Sequence, residues 1–494
     1  MSGARSVEPS STAGLSPWPA FWVCAGVASL TILDMTKVNV ALPSIEAAFE
    51  VGSTELQLVV SSYVLALGLL MVPMGRVGDQ RSRRTLFVVG LALFTLASVL
   101  CAVAPNAEVL LVGRVLQGVA AGIHMPQVMG LIQQLFRGAE RGRAFGLFGA
   151  TIGLATAFGP LTGGILIGLG GAADGWRGIF WMNLPAGLIA IWFAVRLLPR
   201  DGHRAADGPR PRLELDPVGT ALFGATVIAL MLPFLFTTGS PEDPPARWWS
   251  LAAFAVLLAV TLWWERRYAA IGRAPLLPLG LFGVSSFRNG ALVGTAYFSA
   301  MPAMFLLTTL FLQIGVHFDP LHAALVTIGF ALTSSLTAWL GGRLVARIGR
   351  ALVVTGVATM LAGAVGLVAA AVFAPVGAVG FIMAGIMVIA GLGGGLVISP
   401  NQTLMYAEVP VHQAGLAGSV GQLGQRFGTA IGTAVALSLF YATVYREQGT
   451  ATDVVVYHDA YAFGMAAVGA FLLVALLAGV ADLLQRRRSA AAAA

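Results

Sequence analysis

Two ionisable side chains stand where charge is costly. Asp34 and Lys37 lie inside the apolar run of residues 20–42, which is long enough to cross the roughly 30 Å hydrocarbon core of a bilayer as a helix. A charge at that depth costs about 2.5–3.5 kcal/mol on insertion scales and marks a candidate functional site. Three residues apart, the two share one helix face. Lys37 is the only lysine in the chain; the other 28 basic residues are arginines. Arg114 and Arg426 lie inside two further apolar runs. At about 1.5 Å per residue, Asp34, Arg114 and Arg426 all come out roughly 20 Å from the same face. The chemistry such a layer can do is proton exchange. An ionised Asp34 pairs with Lys37 or Arg114, and a protonated one releases them. The alternative is a permanent ion pair that only fixes helix packing.

The elements that must hold these charges are apolar helices. Of 494 residues, 57% are hydrophobic and 10% charged, against about 25% charged in an ordinary soluble domain. Runs of about 20 apolar residues predict fourteen spans, at roughly 20–42, 55–75, 84–104, 107–133, 142–169, 178–198, 215–237, 247–267, 288–313, 320–342, 350–373, 376–406, 413–444 and 459–485. The run 376–406 exceeds what a bilayer needs, so part of it is expected to be loop. With the N-terminus inside, inner segments hold 23 arginines and outer segments three, which by the positive-inside rule places both termini in the cytoplasm. The same distribution explains the net charge of +7 without nucleic acid, for which no basic face interleaved with aromatics exists.

The spans fall six, two, six. The expected organisation is a disordered N-terminal tail over 1–19, a six-helix bundle over 20–199, linkers and two extra helices over 200–287, a second six-helix bundle over 288–485, and a C-terminal tail over 486–494. The first span reads as retained rather than cleaved. A faint repeat relates the bundles: Gly75-Arg-Val-Gly-Asp-Gln-Arg-Ser-Arg-Arg84 after the second span and Gly341-Gly-Arg-Leu-Val-Ala-Arg-Ile-Gly-Arg350 after the tenth. Parallel repeats of this kind build transporters with a site between the halves.

Other residues take supporting roles. Asp79, an acid in an arginine-rich turn, can cap a neighbouring helix or bind Arg83 and so close the inner side; Gly75 and Arg84 belong to the same turn. Gly159, Pro160, Gly163 and Gly164 predict a kinked, close-packed fifth span. Asn39, Gln117, Tyr297, Met301, Phe305, Gln313, Asn401, Gln422, Gln425 and Arg426 form a candidate substrate cavity. His124 could relay protons but reads more simply as a hydrogen-bonded packing residue. Cys24 and Cys101 lie in apolar runs as packing residues. No metal site, cofactor or catalytic motif is found, so a proton gradient is the expected energy source.

These motifs resemble those of the major facilitator superfamily, specifically its fourteen-span drug:proton antiporter family. Leu33-Asp-Met-Thr-Lys-Val-Asn-Val-Ala-Leu-Pro43 resembles that family's first-helix motif, Gly75 to Arg84 its loop motif, and Arg114-Val-Leu-Gln-Gly118 its fourth-span motif. Gly149 to Gly164 resembles the antiporter motif, Trp176-Arg177 through Phe180-Trp-Met-Asn-Leu-Pro185 the entry to span six, and Arg426-Phe-Gly-Thr-Ala-Ile-Gly432 a span-thirteen pattern. The resemblance implies an all-α fold of two bundles plus two intervening helices, working as a monomer in the cell membrane. It implies proton-coupled export of hydrophobic or amphiphilic small molecules such as drugs or antibiotics. Asp34, Arg114 and Lys37 would be the proton-coupling residues, and Gly75, Asp79, Arg83 and Arg84 the cytoplasmic gate. Three departures stand out: Ser82 replaces the usual Gly, the second repeat has Ala346 near where the first has an acid, and Lys37 replaces an apolar residue. A fixed cation there disfavours cationic substrates and points to neutral, zwitterionic or anionic ones, unless Asp34 neutralises it internally. A lipid exporter is the alternative, and a membrane-embedded enzyme or receptor the remote one.

Overall fold

A computed structural model of the chain describes residues 16–51, 53–199, 216–235, 245–273, 275–277, 279–318, 320–410, 413–447 and 453–493. The described residues form helices α1 (Trp18–Phe49), α2 (Ser53–Gln80), α3 (Arg83–Ala102), α4 (Ala107–Leu135), α5 (Gly138–Trp181), α6 (Asn183–Leu197), α7 (Pro217–Leu235), α8 (Trp249–Ala270), α9 (Ser285–Leu310), α10 (Pro320–Ile348), α11 (Arg350–Phe373), α12 (Val376–Met405), α13 (Ala414–Glu447) and α14 (Asp453–Ala493). Fourteen stretches are long and apolar enough to cross a membrane. Only helices satisfy every backbone group within their own segment in lipid, so a chain this apolar folds as helices throughout.

The two halves repeat one packing pattern. In the first, α1 packs on α5, α2 and α3 on α4, and α3 on α6; in the second, α9 packs on α13, α10 and α11 on α12, and α11 on α14. The halves meet along α5–α10 and α2–α13, while α7 lies over the α2–α13 seam and α8 packs outside it. Small residues allow the close approach between halves. A Cβ on Gly142 would stand 2.7 Å from the Gly342 carbonyl oxygen, and one on Gly146 3.0 Å from Gly342 Cα. Both contacts lie at the arginine-rich end of the bundle. Further along, α5 leaves α10 and turns to α1: a Cβ on Gly163 would stand 3.0 Å from the Lys37 carbonyl oxygen, while Leu161 and Ile165 are about half exposed, at 50% and 54%. The halves therefore touch at the arginine-rich end and part beyond it along this seam.

Several boundaries differ from expectation. α1 starts at Trp18, inside the expected tail, and residues 1–15 lie outside the described residues. The expected C-terminal tail continues α14 as helix to Ala493. The run 376–406 holds no loop, because α12 is continuous to Met405. Most of Gly75–Arg84 is helix rather than turn: α2 runs to Gln80 and α3 begins at Arg83, leaving Arg81 and Ser82 between them. Ser82 earns its place as an N-cap, its Oγ accepting from Thr85 N at 3.0 Å, the role for which a hydroxyl suits a helix start. Gly159 and Pro160 stay helical, and α5 is interrupted instead at Gly171, φ 81°, a left-handed conformation that glycine adopts without steric cost. The linker residues 200–215 lie outside the described residues.

Candidate functional site

The charges of the first span meet in a sealed cluster inside the first half. Arg114 Nη1 on α4 donates to Asp34 Oδ2 at 2.9 Å. Asn183 Nδ2, at the start of α6, donates to Asp34 Oδ1 at 2.6 Å, and Lys37 Nζ lies 3.5 Å from the same oxygen. Lys37 Nζ donates to Asn183 Oδ1 at 2.7 Å, so Asn183 bridges lysine and carboxylate. Around them, Arg114 Nη1 donates to Gln117 Oε1 at 2.8 Å, Gln117 Nε2 to Ser98 Oγ at 2.7 Å, and Asn183 Nδ2 to Ser98 Oγ at 3.0 Å. Arg114 Nε donates to the Val59 carbonyl at 3.2 Å, and the guanidinium lies 4.3 Å over the Tyr63 ring. Asp34, Lys37, Gln117, Ser98 and Asn183 have no exposed surface, and Arg114 is 1% exposed. Five helices are thus tied at one point, and charge-assisted hydrogen bonds in a low dielectric are the strong ones. Gly159 and Gly163 of α5 lie against α1 at this level, the first beside Thr36 and the second beside Lys37.

A second site joins the halves at the arginine-rich end. Asp79 Oδ1 accepts from Gly415 N at 3.0 Å and Oδ2 from Leu416 N at 2.9 Å, at the start of α13. Those amides carry the positive end of the helix dipole. Arg83 Nη2 donates to Asp79 Oδ1 at 2.6 Å, and Arg83 Nη1 to Gly130 O at 3.0 Å and Gln134 Oε1 at 3.2 Å. Both roles foreseen for Asp79, helix cap and Arg83 partner, are filled at once. Gly75 is needed for the approach, since a Cβ there would stand 2.9 Å from the Gly415 carbonyl oxygen. Arg84 donates to the Val195 carbonyl of α6.

The expected substrate cavity divides. Met301, Phe305, Gln425 and Arg426 are part-buried. Among the described residues Arg426 has no carboxylate partner; its electrostatic neighbour is Tyr63, the ring beneath Arg114. Arg426 therefore shares the depth of the cluster without joining it. Gln422 is buried, with Nε2 lacking a hydrogen-bond partner. Four residues move out of the cavity. Gln117 belongs to the Asp34 cluster. Tyr297 is fully buried in the apolar core of the second half. Gln313 lies in a π-helical turn that closes the far end of α9. Asn401 is buried in a polar network of its own. The Asn39 and Pro160 side chains lie outside the described residues, and Gly164 faces open space rather than a packed neighbour. His124 is a packing residue: Nδ1 donates to the Ala120 carbonyl at 3.0 Å, leaving Nε2 to accept from Thr31 Oγ1 at 2.9 Å.

Two partners escaped sequence reasoning. Asn183 stands within a quoted motif, but an amide carries no charge to draw attention in an apolar run. Its depth, about nine residues in from Asp174 or roughly 14 Å, places it near the charged layer. The other partner is Asp482 on α14. Arg350 Nε pairs with its Oδ2, Arg350 Nη1 donates to Asn401 Oδ1 at 2.5 Å, Asn401 Nδ2 donates to the Gly290 carbonyl at 2.8 Å, and Asn289 Nδ2 donates to Asp482 Oδ1 at 2.8 Å. An arginine that sequence assigns to the positive-inside rule is 3% exposed and ion-paired.

Two six-helix halves with charged groups sealed among their helices define a membrane transporter rather than an enzyme. The chain belongs to the major facilitator superfamily, whose family profile matches residues 24–433, and it is a multi-pass protein of the plasma membrane. It is 33% identical over 442 residues to the "Probable actinorhodin transporter" of Streptomyces coelicolor, across 88% of this chain and 74% of that one. It is 32% identical over 496 residues to the "Puromycin resistance protein pur8" of Streptomyces alboniger, across 97% and 94%. The crystal structure of the human organic anion transporter MFSD10 (TETRAN) shares the fold at TM-score 0.61 and 14% identity, across 94% of this chain and 100% of that one.

Proposed function

We propose that the protein is a proton-coupled antiporter that exports hydrophobic or amphiphilic small molecules of the antibiotic type by alternating access, with its arginine-rich end in the cytoplasm. The observation that carries the reading is the Asp34 cluster. A carboxylate without exposed surface, held by Arg114 and Asn183 beside Lys37, ties α1 to α4 and α6. Any change in the protonation of that cluster alters which helices are tied, and so couples proton movement to helix movement. The Asp79–α13 contact supports a gate at the cytoplasmic end, closed in this conformation. Relatives named for actinorhodin transport and puromycin resistance support antibiotic-type substrates.

Met301, Phe305, Gln425 and Arg426 are the wall we assign to the substrate. Lys37 does not reach it, because Asp34 and Asn183 enclose its amino group. The cation that faces substrate is Arg426, and with the free Nε2 of Gln422 nearby on α13 it favours molecules rich in hydrogen-bond acceptors or negative charge over cations. A lipid path along the α2–α13 seam is disfavoured because α7 covers that seam through Phe223, Val227 and Met231.

The test is transport into and out of proteoliposomes under an imposed pH gradient, with a panel of aromatic antibiotics. Wild-type protein moves substrate against its gradient when the opposite side is acid, and Asp34→Asn loses that drive. Full gradient-driven transport by Asp34→Asn removes the proposal.

A further inference from the structure

Charge balance within the sealed cluster singles out Lys37. The groups are Asp34 with one negative charge and Arg114 and Lys37 with one positive charge each, when all are ionised. None of the three is more than 1% exposed, and the sum is an uncompensated +1. Protonating Asp34 while Lys37 stays charged would make it +2. A buried charge without a partner is costly, and of these groups the ammonium loses its proton far more readily than a guanidinium. Removing one proton from Lys37 leaves Asp34 and Arg114 as a neutral pair.

Among the described residues, the elements around the cluster offer no further acid. α2 presents Tyr63, α3 presents Ser98 and Cys101, α4 presents Arg114 and Gln117, α5 presents the Gly163 backbone, and α6 presents Asn183. Hydrogen bonding gives the same answer independently. Lys37 Nζ has two acceptors among the described residues, Asn183 Oδ1 at 2.7 Å and Asp34 Oδ1 at 3.5 Å. A neutral amine has two N–H groups to place, whereas an ammonium has three.

We infer that the exchangeable proton of this transporter resides on Lys37, with Asp34 remaining ionised between Arg114 and the lysine. When the cluster opens to water on one side, the Lys37 amine takes a proton from it; when the cluster opens to the other side, the ammonium returns that proton to water there, and the cluster then seals in the neutral state. Asn183 is the positioning residue, holding the amine beside the carboxylate. The inference rests on the proton-coupled reading above and names the group that carries the proton.

Because Lys37 is the only lysine, protein labelled with ¹⁵N and ¹³C in lysine and purified through a lysine-free tag gives a single side-chain signal. In the wild type at neutral pH that signal is expected to be that of a neutral amine. An ammonium signal at neutral pH overturns the inference. The functional arm uses Lys37→Arg, which keeps the charge but does not release a proton. Gradient-driven uptake in proteoliposomes is expected to fall at least tenfold, with exchange of internal for external substrate retained. Wild-type gradient-driven uptake by Lys37→Arg overturns the inference. If the guanidinium does not fit, Lys37→Met serves: its pH–rate profile moves by more than one unit, and an unchanged profile overturns the inference. Failure of the wild type to respond to any pH gradient instead sinks the proton-coupled reading, so the two failures are distinguishable.

Discussion

The arginine-rich ends of the two halves start from one repeated sequence and finish with different jobs. In the first half the repeat carries Asp79, which pairs with Arg83 and also reaches out of its bundle to the first amides of α13. In the second half the equivalent stretch has Ala346 near where the first half has its acid, and Arg350 takes Asp482 from α14 within its own bundle. One arginine therefore serves a contact between halves and the other a lock inside one half. The difference shows how one repeat serves two kinds of join: a carboxylate on the last turn of α2 touches the opposite half, whereas one from the last helix of the same bundle stays within it.

The largest expected effect comes from the sealed cluster inside the first half. Asp34→Asn leaves Lys37 and Arg114 without a carboxylate, and removing one partner of a buried pair costs about 3–5 kcal/mol. Thermal unfolding in detergent should fall accordingly, along with gradient-driven transport. The rigid end comes next. Asp482→Asn should cost a similar roughly 3–5 kcal/mol, and the double variant Arg350→Met with Asp482→Leu should recover part of that loss. If Arg350 and Asp482 served transport rather than rigidity, the double variant would regain stability but not coupling.

The contact between halves should respond differently. Asp79→Asn weakens charge-assisted contacts worth about 1.5–3 kcal/mol each, which converts to a roughly 10- to 150-fold shift of a two-state equilibrium. Spin labels at Glu140 and Arg347, on the facing ends of α5 and α10, should then report a longer distance population, with little change in the unfolding temperature. An unchanged distance distribution would equate the two ends and dissolve the contrast. The smallest effect is expected at Gly171, φ 81°. Gly171→Ala should lower stability by about 1 kcal/mol, the approximate cost of a side chain in the left-handed region, and leave the label distances alone.

Much of the architecture is legible in the residues because lipid imposes one requirement on every span. Backbone groups must be satisfied within the segment, so apolar length alone marks fourteen helices, and the arginines between them alternate. The depth of Asp34 and Arg114 follows from helical rise, which is why their pairing could be anticipated. Gly75–Arg84 was less transparent, since hydrophobicity falls before helix ends and Ser82 caps α3 from a position that reads as loop. The Gly159-Pro160 pair misleads for a related reason. Proline removes one hydrogen bond without forcing non-helical φ and ψ, and the break goes to Gly171, where only the backbone's freedom matters.

Lys37 marks the division most clearly. Composition and spacing place one lysine on the face of Asp34, three residues away and deep in the first span, and that much needs no fold. Whether its amino group meets substrate or stays enclosed depends on Asn183, 146 residues further on. Arg350, Asn401 and Asp482 follow the same pattern, each polar in sequence and each assigned a role by a neighbour on another helix. Helical rise sets how deep a side chain lies, and that is local. Which way it faces among five or six packed helices is a property of the assembled bundle, because burial and pairing are settled by residues far away in the chain.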